Sequence, residues 1–235
     1  MIPDHSKSRG RLFLLAGGHR SRDGSNPLPA MMIASLGVPS PRIAYVGAAS
    51  GDDRDFFSSI RNVLVESGAG AVEMVALVGR RRVGARAAGT LERADAIFIS
   101  GGDVEEGMQT LEACGAVQVL TDHFHTGMPF LGISAGSIML ARAWVRWRDP
   151  DDNASAEMFP CLGFAPILCD THDERSGWTE LRALLALSPK GSIGYGIPSG
   201  GGIIVDPDGS VTPCGCPVAI LRNDGDAISI DGKRT

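Results

Sequence analysis

The sequence predicts an α/β fold: a doubly wound, mostly parallel sheet with a β-rich C-terminal end. Three observations carry this. Through the first 140 residues, short apolar runs alternate with segments of helical pattern, the spacing of strand–helix–strand units. Several of these runs end in glycine, at Gly17-Gly18, at Gly101-Gly102 and around Ser134. From residue 202 onward the runs become short and are separated by turn signals, Pro207-Asp208-Gly209 and Asp224-Gly225.

Residues 11–16 read as the first strand and Gly17-Gly18-His19 as its C-terminal loop. Residues 26–36 read as a helix with Pro27 in its first turn. Residues 42–48 are the second strand. Asp52 or Asp53 then caps a helix running to about residue 67, which Gly68-Ala69-Gly70 stops. Residues 72–78 are the third strand, and Gly79-Arg80-Arg81-Arg82 is a solvated basic loop. A short helix or turn at 90–93 precedes the fourth strand at 95–100, and two helices cover about 104–113 and 117–125. Pro129 opens an apolar strand that runs into the helix beginning Ala135-Gly136-Ser137. Farther on, 148–153 is a polar loop, 166–169 a strand and 177–187 a helix. Residues 203–205, 218–221 and 227–230 are short strands.

With 235 residues, 43% of them hydrophobic, the chain can bury one full core, so a single domain over 1–235 is expected, with 1–10 as a polar tail. The net charge of −5 argues against nucleic acid and anionic membrane surfaces as partners. The apolar run 12–16 is too short for a signal-peptide core or a membrane span, which points to a cytoplasmic protein. The five cysteines are odd in number, and free thiols are expected in that compartment. Cys214-Gly215-Cys216 lacks the second pair or histidine a zinc site needs. No metal and no cofactor are expected.

The chemistry concentrates at Gly132-Ile133-Ser134-Ala135-Gly136. Glycines on both sides of a serine allow a tight, strained strand-to-helix bend. Such a bend exposes the Ser134 hydroxyl above the sheet, and the Ala135 N–H faces the place where an oxyanion would form. An ordinary structural turn is the other reading of the pattern. A serine nucleophile needs a base. His5 lies in the polar tail, and His123 and His125 read as surface residues at a helix end. His172, in a loop after a strand and flanked by acids, is the candidate base, with His19 the alternative.

Three segments in this order, Ile99-Ser100-Gly101-Gly102-Asp103, Gly132-Ile133-Ser134-Ala135-Gly136 and Leu162-Gly163-Phe164 to Asp170-Thr171-His172, resemble the S51 serine peptidases, the family of aspartyl dipeptidase and cyanophycinase. The resemblance spans residues 12 to about 230. It implies a flavodoxin-like fold of the class I glutamine amidotransferase type, with Ser134 as nucleophile, His172 as base, and the Gly102 and Ala135 amides as oxyanion hole. It also implies a small peptide substrate, with Asp103, Arg175 and Ser199 beside it, and it allows for a homodimer. The chain departs from the family pattern where cyanophycinases carry glutamine (here Val104), in the arginines after the histidine (here Arg175 and Arg182), and at Ser199, where an acid is expected.

A catalytic histidine needs a partner on its other ring nitrogen. Asp170 is the expected one, two residues before His172, provided the chain bends near Thr171; Ser199 is the weaker alternative, and Asp173 and Glu174 read as solvated. The favoured function is therefore a serine hydrolase acting on a small peptide, dipeptide or isopeptide. A relative that kept the fold and became a binding or regulatory protein is the alternative. An amidotransferase is disfavoured because its elbow needs a cysteine.

Overall fold

The computed structural model describes residues 9–18, 27–149 and 151–234. Five strands make a parallel sheet: β1 (Leu12–Leu15), β2 (Arg42–Val46), β3 (Ala71–Val75), β4 (Ala96–Ile99) and β5 (Phe130–Ile133). Their side chains alternate between two cores. Leu12, Leu14, Ala44, Val46, Ile97 and Ile99 lie on one face, and Phe13, Leu15, Ile43, Tyr45 and Phe98 on the other. Both faces must be covered, and helices cover them. Helices α1 (Pro27–Ser35) and α2 (Arg54–Glu66) pack on the second face. Helices α3 (Ala85–Glu92), α4 (Val104–Ala113), α5 (Ala116–His125) and α6 (Ala135–Leu140) pack on the first. The doubly wound, mostly parallel architecture is thus present.

The C-terminal part is β-rich and divides between sheets. Between α6 and the strands of that part, β6 (Ala143–Trp147) and β7 (Ala156–Pro160) form a separate hairpin. Strands β8 (Leu168–Thr171), β9 (Ile193–Ile197), β12 (Val218–Asn223) and β13 (Ile228–Arg234) make a four-stranded sheet in the order β13-β12-β9-β8. Strands β10 (Gly201–Val205) and β11 (Val211–Gly215) add antiparallel to β1, giving a seven-stranded main sheet ordered β11-β10-β1-β5-β4-β2-β3. Helix α7 (Thr179–Ala186) seals the second sheet through Leu181, Leu184 and Leu185.

Some elements differ from expectation. The turn expected at 90–93 is the end of the longer α3, and the third strand stops at Val75 rather than 78. Strands β6, β7, β9 and β11 lack a clear sequence signal. In β9 the two glycines lower strand propensity, yet packing requires them. A Cβ on Gly196 would lie 2.5 Å from Trp178 Cδ2, and one on Gly194 would lie 2.7 Å from Leu181 Cδ1. The β6–β7 hairpin is held from the side: Trp144 meets Phe159 edge-on, and Arg146 bonds Glu157 at 2.6 Å and sits over the Phe159 ring.

All five cysteines are free, and burial pushes the Cys161 thiol up to about 12 and the Cys214 thiol up to about 11, which disfavours the reactive thiolate. Among the described residues no helix is long and apolar enough to cross a membrane, and no acid, histidine or cysteine cluster could hold a metal.

Candidate active site

Ser134 joins β5 to α6 in a conformation few residues adopt, φ 53° and ψ −124°. Such backbone costs on the order of 1–3 kcal/mol and needs support from its surroundings. The Ser134 N–H donates to the Leu15 carbonyl of the neighbouring strand at 2.8 Å, and its own carbonyl accepts from Ser137 at 2.9 Å. The flanking glycines are steric necessities. A Cβ on Gly132 would lie 2.7 Å from the Ser137 amide nitrogen, and one on Gly136 would lie 2.2 Å from the Ile99 carbonyl oxygen.

His172 follows the last residue of β8 and also has positive φ, 47°. Its amide donates to the Ile197 carbonyl at 2.9 Å, which ties the loop to β9. The ring meets the serine: Ser134 Oγ and His172 Nε2 are 2.7 Å apart. His19, the alternative base, and His5 lie outside the described residues. His123 and His125 lie in the last turn of α5, which leads into the start of β5, whereas Ser134 follows the other end of that strand.

Four carboxylates surround the His172 loop, and among the described residues none is hydrogen-bonded to the ring. Asp170 is buried. Its Oδ1 accepts from the Thr171 N–H at 2.7 Å, and among the described residues its Oδ2 makes no close hydrogen bond, although the Leu181 amide is near enough to favour the charged form. The left-handed turn at His172 breaks the strand alternation that would have put both side chains on one face. Burial, and then the nearby Glu180, push the Asp170 carboxyl up to about 7. Glu180 is half-buried and also raised, first by desolvation, while its Oε2 accepts from Trp144 Nε1 at 2.7 Å. Asp173 is engaged locally, accepting from the Thr179 N–H at 2.7 Å and from the Ser176 hydroxyl. Glu174 behaves differently. Desolvation is the largest single effect and raises it, but its own amide, the Ser199 hydroxyl and amide, and His172 together hold it below the usual carboxylate range. Glu174 Oε1 accepts from the Ser199 N–H at 3.3 Å. Glu174 and Glu180 were not legible as site residues, since each depends on where a loop docks.

The loop after β4 approaches the serine. A Cβ on Gly101 would lie 3.2 Å from Ser134 Cβ. Gly102 has φ +139°, and a Cβ there would lie 1.9 Å from the Ala49 carbonyl oxygen, so no other residue fits. Its amide makes no backbone hydrogen bond among the described residues. The amide of Ala135, first residue of α6, has no acceptor inside the helix. Asp103 caps α4, its Oδ1 accepting from the Glu106 N–H at 2.8 Å, and it does not line the cavity that holds Ser134. That cavity, about 680 Å³, is bounded by Ser134, His172, Gly102, Glu174, Arg175 and Ser199, with an apolar wall from α2 and the ends of β1 and β5. The sequence-predicted residues Ser134, His172, Gly102, Arg175 and Ser199 therefore meet in one place; Asp170 and Asp103 stand behind it.

The profile of Peptidase family S51 matches residues 12–210. No curated protein matches the chain. Among solved structures, a peptidase from an acI-B1 Actinobacterium superposes with a TM-score of 0.68 at 15% identity, covering 98% of each chain. A putative peptidase E protein from Listeria monocytogenes EGD-e gives a TM-score of 0.63 at 15% identity, covering 89% of this chain and 100% of that one. At that identity these likenesses speak for the fold. The profile match covers most of the sequence and includes the glycine loop, the serine elbow and the histidine loop, and the chain belongs to peptidase family S51.

Proposed function

We propose that this chain is a serine peptidase that cleaves a small peptide, dipeptide or isopeptide through Ser134 and His172. The observation that carries the reading is the 2.7 Å contact between Ser134 Oγ and His172 Nε2 on a strained elbow. In the proposed reaction Ser134 Oγ attacks the scissile carbonyl carbon, and its proton passes to His172 Nε2. The carbonyl oxygen becomes an oxyanion facing the Gly102 and Ala135 amides, donors without a competing backbone acceptor among the described residues. Collapse breaks the C–N bond, and the amine leaves with the proton from His172. Water then hydrolyses the acyl-serine by the same route.

The charge beside the imidazolium we assign to Glu174 rather than Asp170. Glu174 is held below the usual carboxylate range and shares the cavity with His172, whereas Asp170 is turned onto the Thr171 amide and burial draws its carboxyl toward the neutral form. Arg175 and Ser199 line the cavity and would contact polar groups of the substrate. Asp103 contributes indirectly, by capping the helix that follows Gly102.

One observation favours the second reading, a family member that binds peptides with little or no turnover: no described carboxylate is hydrogen-bonded to His172. A fluorophosphonate separates the two. An active serine gives an adduct on Ser134 that disappears in Ser134→Ala. An adduct that persists in the variant overturns the assignment, and no adduct on a protein that still binds peptides establishes the second reading.

A further inference from the structure

Helix α2 presents two faces near the site. Phe57 and Leu64 point to the core, where Phe57 packs edge-on against Tyr45 with ring centroids 5.0 Å apart. Phe56 belongs to no core cluster and is 37% exposed. It lines the cavity that contains Ser134, together with Ile60, one helical turn farther on, which also packs against the core. Ile133, the residue before the serine, and Ala16, at the end of β1, complete an apolar wall. Ile133 reaches far enough that a Cβ on Gly17 would lie 2.9 Å from its Cδ1. The titratable side chains of the described lining, His172, Glu174 and Arg175, all come from one segment, the loop after β8. The lining thus has two sources: apolar side chains from α2 and the ends of β1 and β5, and titratable ones from the loop after β8.

We infer that the α2 side of this cavity is a specificity pocket for an apolar side chain next to the scissile amide, so that the preferred substrates are small peptides carrying leucine- or phenylalanine-like residues. The inference rests on the peptidase reading above and names its substrate class. Three facts support it. A phenylalanine left in water beside a nucleophile gains from covering, at about 25 cal/mol per Å² of apolar surface. An acidic or basic side chain placed against Phe56, Ile60 and Ile133 would lose hydration with no described partner on that wall. The volume of about 680 Å³ lies in the range of small-ligand pockets, enough for a short peptide and not for a folded chain.

The test is competition between dipeptides and a fluorophosphonate for Ser134, with the same peptides titrated by calorimetry. Leu-Leu and Phe-Leu should protect at concentrations about tenfold or more below those of Ala-Ala, Asp-Ala or Lys-Ala, the discrimination a few methylenes supply. In Phe56→Ala/Ile60→Ala the gap should shrink to about twofold, with the fold checked by circular dichroism. Protection by Asp-Ala or Lys-Ala equal to that of Leu-Leu overturns the pocket, as does a gap that survives in the double variant. If the wild-type serine does not label, the peptidase reading fails, and calorimetry alone decides the pocket: tighter binding of the apolar peptides, lost in the double variant, upholds it, and equal binding overturns it.

Discussion

Ser134 and His172 are 2.7 Å apart although they terminate strands of two different sheets. Ser134 ends β5 in the seven-stranded sheet, and His172 follows β8 in the four-stranded one. Both residues have positive φ, 53° and 47°. Each strand therefore ends in a sharp turn that aims its side chain at the other sheet, and the pair depends on how the two sheets dock.

His172→Asn is the informative substitution at the base. Asparagine tolerates the left-handed backbone that His172 adopts, so the fold should survive. Turnover of any cleaved peptide should fall by about 10³-fold or more, because nucleophile and base act as a unit. A loss below about tenfold would move the role to His19.

Gly102→Ala should disable the loop after β4. The backbone there is at φ +139°, and the new methyl would sit 1.9 Å from the Ala49 carbonyl oxygen. The loop must shift, and the amide with it. Turnover should drop about 10²-fold or more, as for loss of one oxyanion donor. Binding of substrate-like peptides, read by calorimetry, should change less than turnover. Unchanged turnover would remove Gly102 from the reaction.

The acids can be ranked by isosteric amides. Glu174→Gln should lower turnover about tenfold or more, since it removes the ionised carboxylate of the cavity. Asp170→Asn should cost less than that, because its carboxyl is drawn toward the neutral form and bonded to Thr171. The reverse ranking, with Asp170→Asn the more damaging, would return the role to Asp170.

Asp170 also predicts a pH dependence of stability. Its folded-state value is raised from 3.8 to about 7, so the native protein binds this proton more tightly than the unfolded chain does. Stability should decline as pH rises from about 4 to about 7 and level off above that, with a contribution of up to about 4 kcal/mol. Denaturant midpoints of Asp170→Asn should fall less steeply across this window, and the variant should gain on the wild type at pH 8. Glu180, raised in the same direction, leaves part of the slope in place. Parallel curves for the two proteins would show that Asp170 does not titrate in this way.

Much of this was legible in the chain itself. Alternating apolar runs and helical segments announced the parallel sheet, because strand and helix periodicities act over a few residues. The elbow was legible because steric necessity is local: Gly132 and Gly136 flank Ser134 within four residues of sequence. His172 stood out as a histidine in a loop after a strand, among acids. The hairpin β6–β7 and the glycine-rich β9 were not legible, since the first depends on cross-strand pairs such as Trp144 with Phe159, fifteen residues apart, and the second on Trp178, which packs where a Cβ of Gly196 would be. The environment of the histidine was decided by tertiary structure alone. Glu174 and Asp170 lie equally far from His172 in sequence, yet one docks on Ser199 in the cavity and the other is buried behind it. Phe56 likewise looked like any apolar residue of an amphipathic helix, and only the folded chain brings it to the cavity of Ser134, which the ends of β1 and β5 also line. Local sterics can be read residue by residue; the protonation of an acid and the company of a side chain depend on desolvation and contacts that exist only once the sheets have packed.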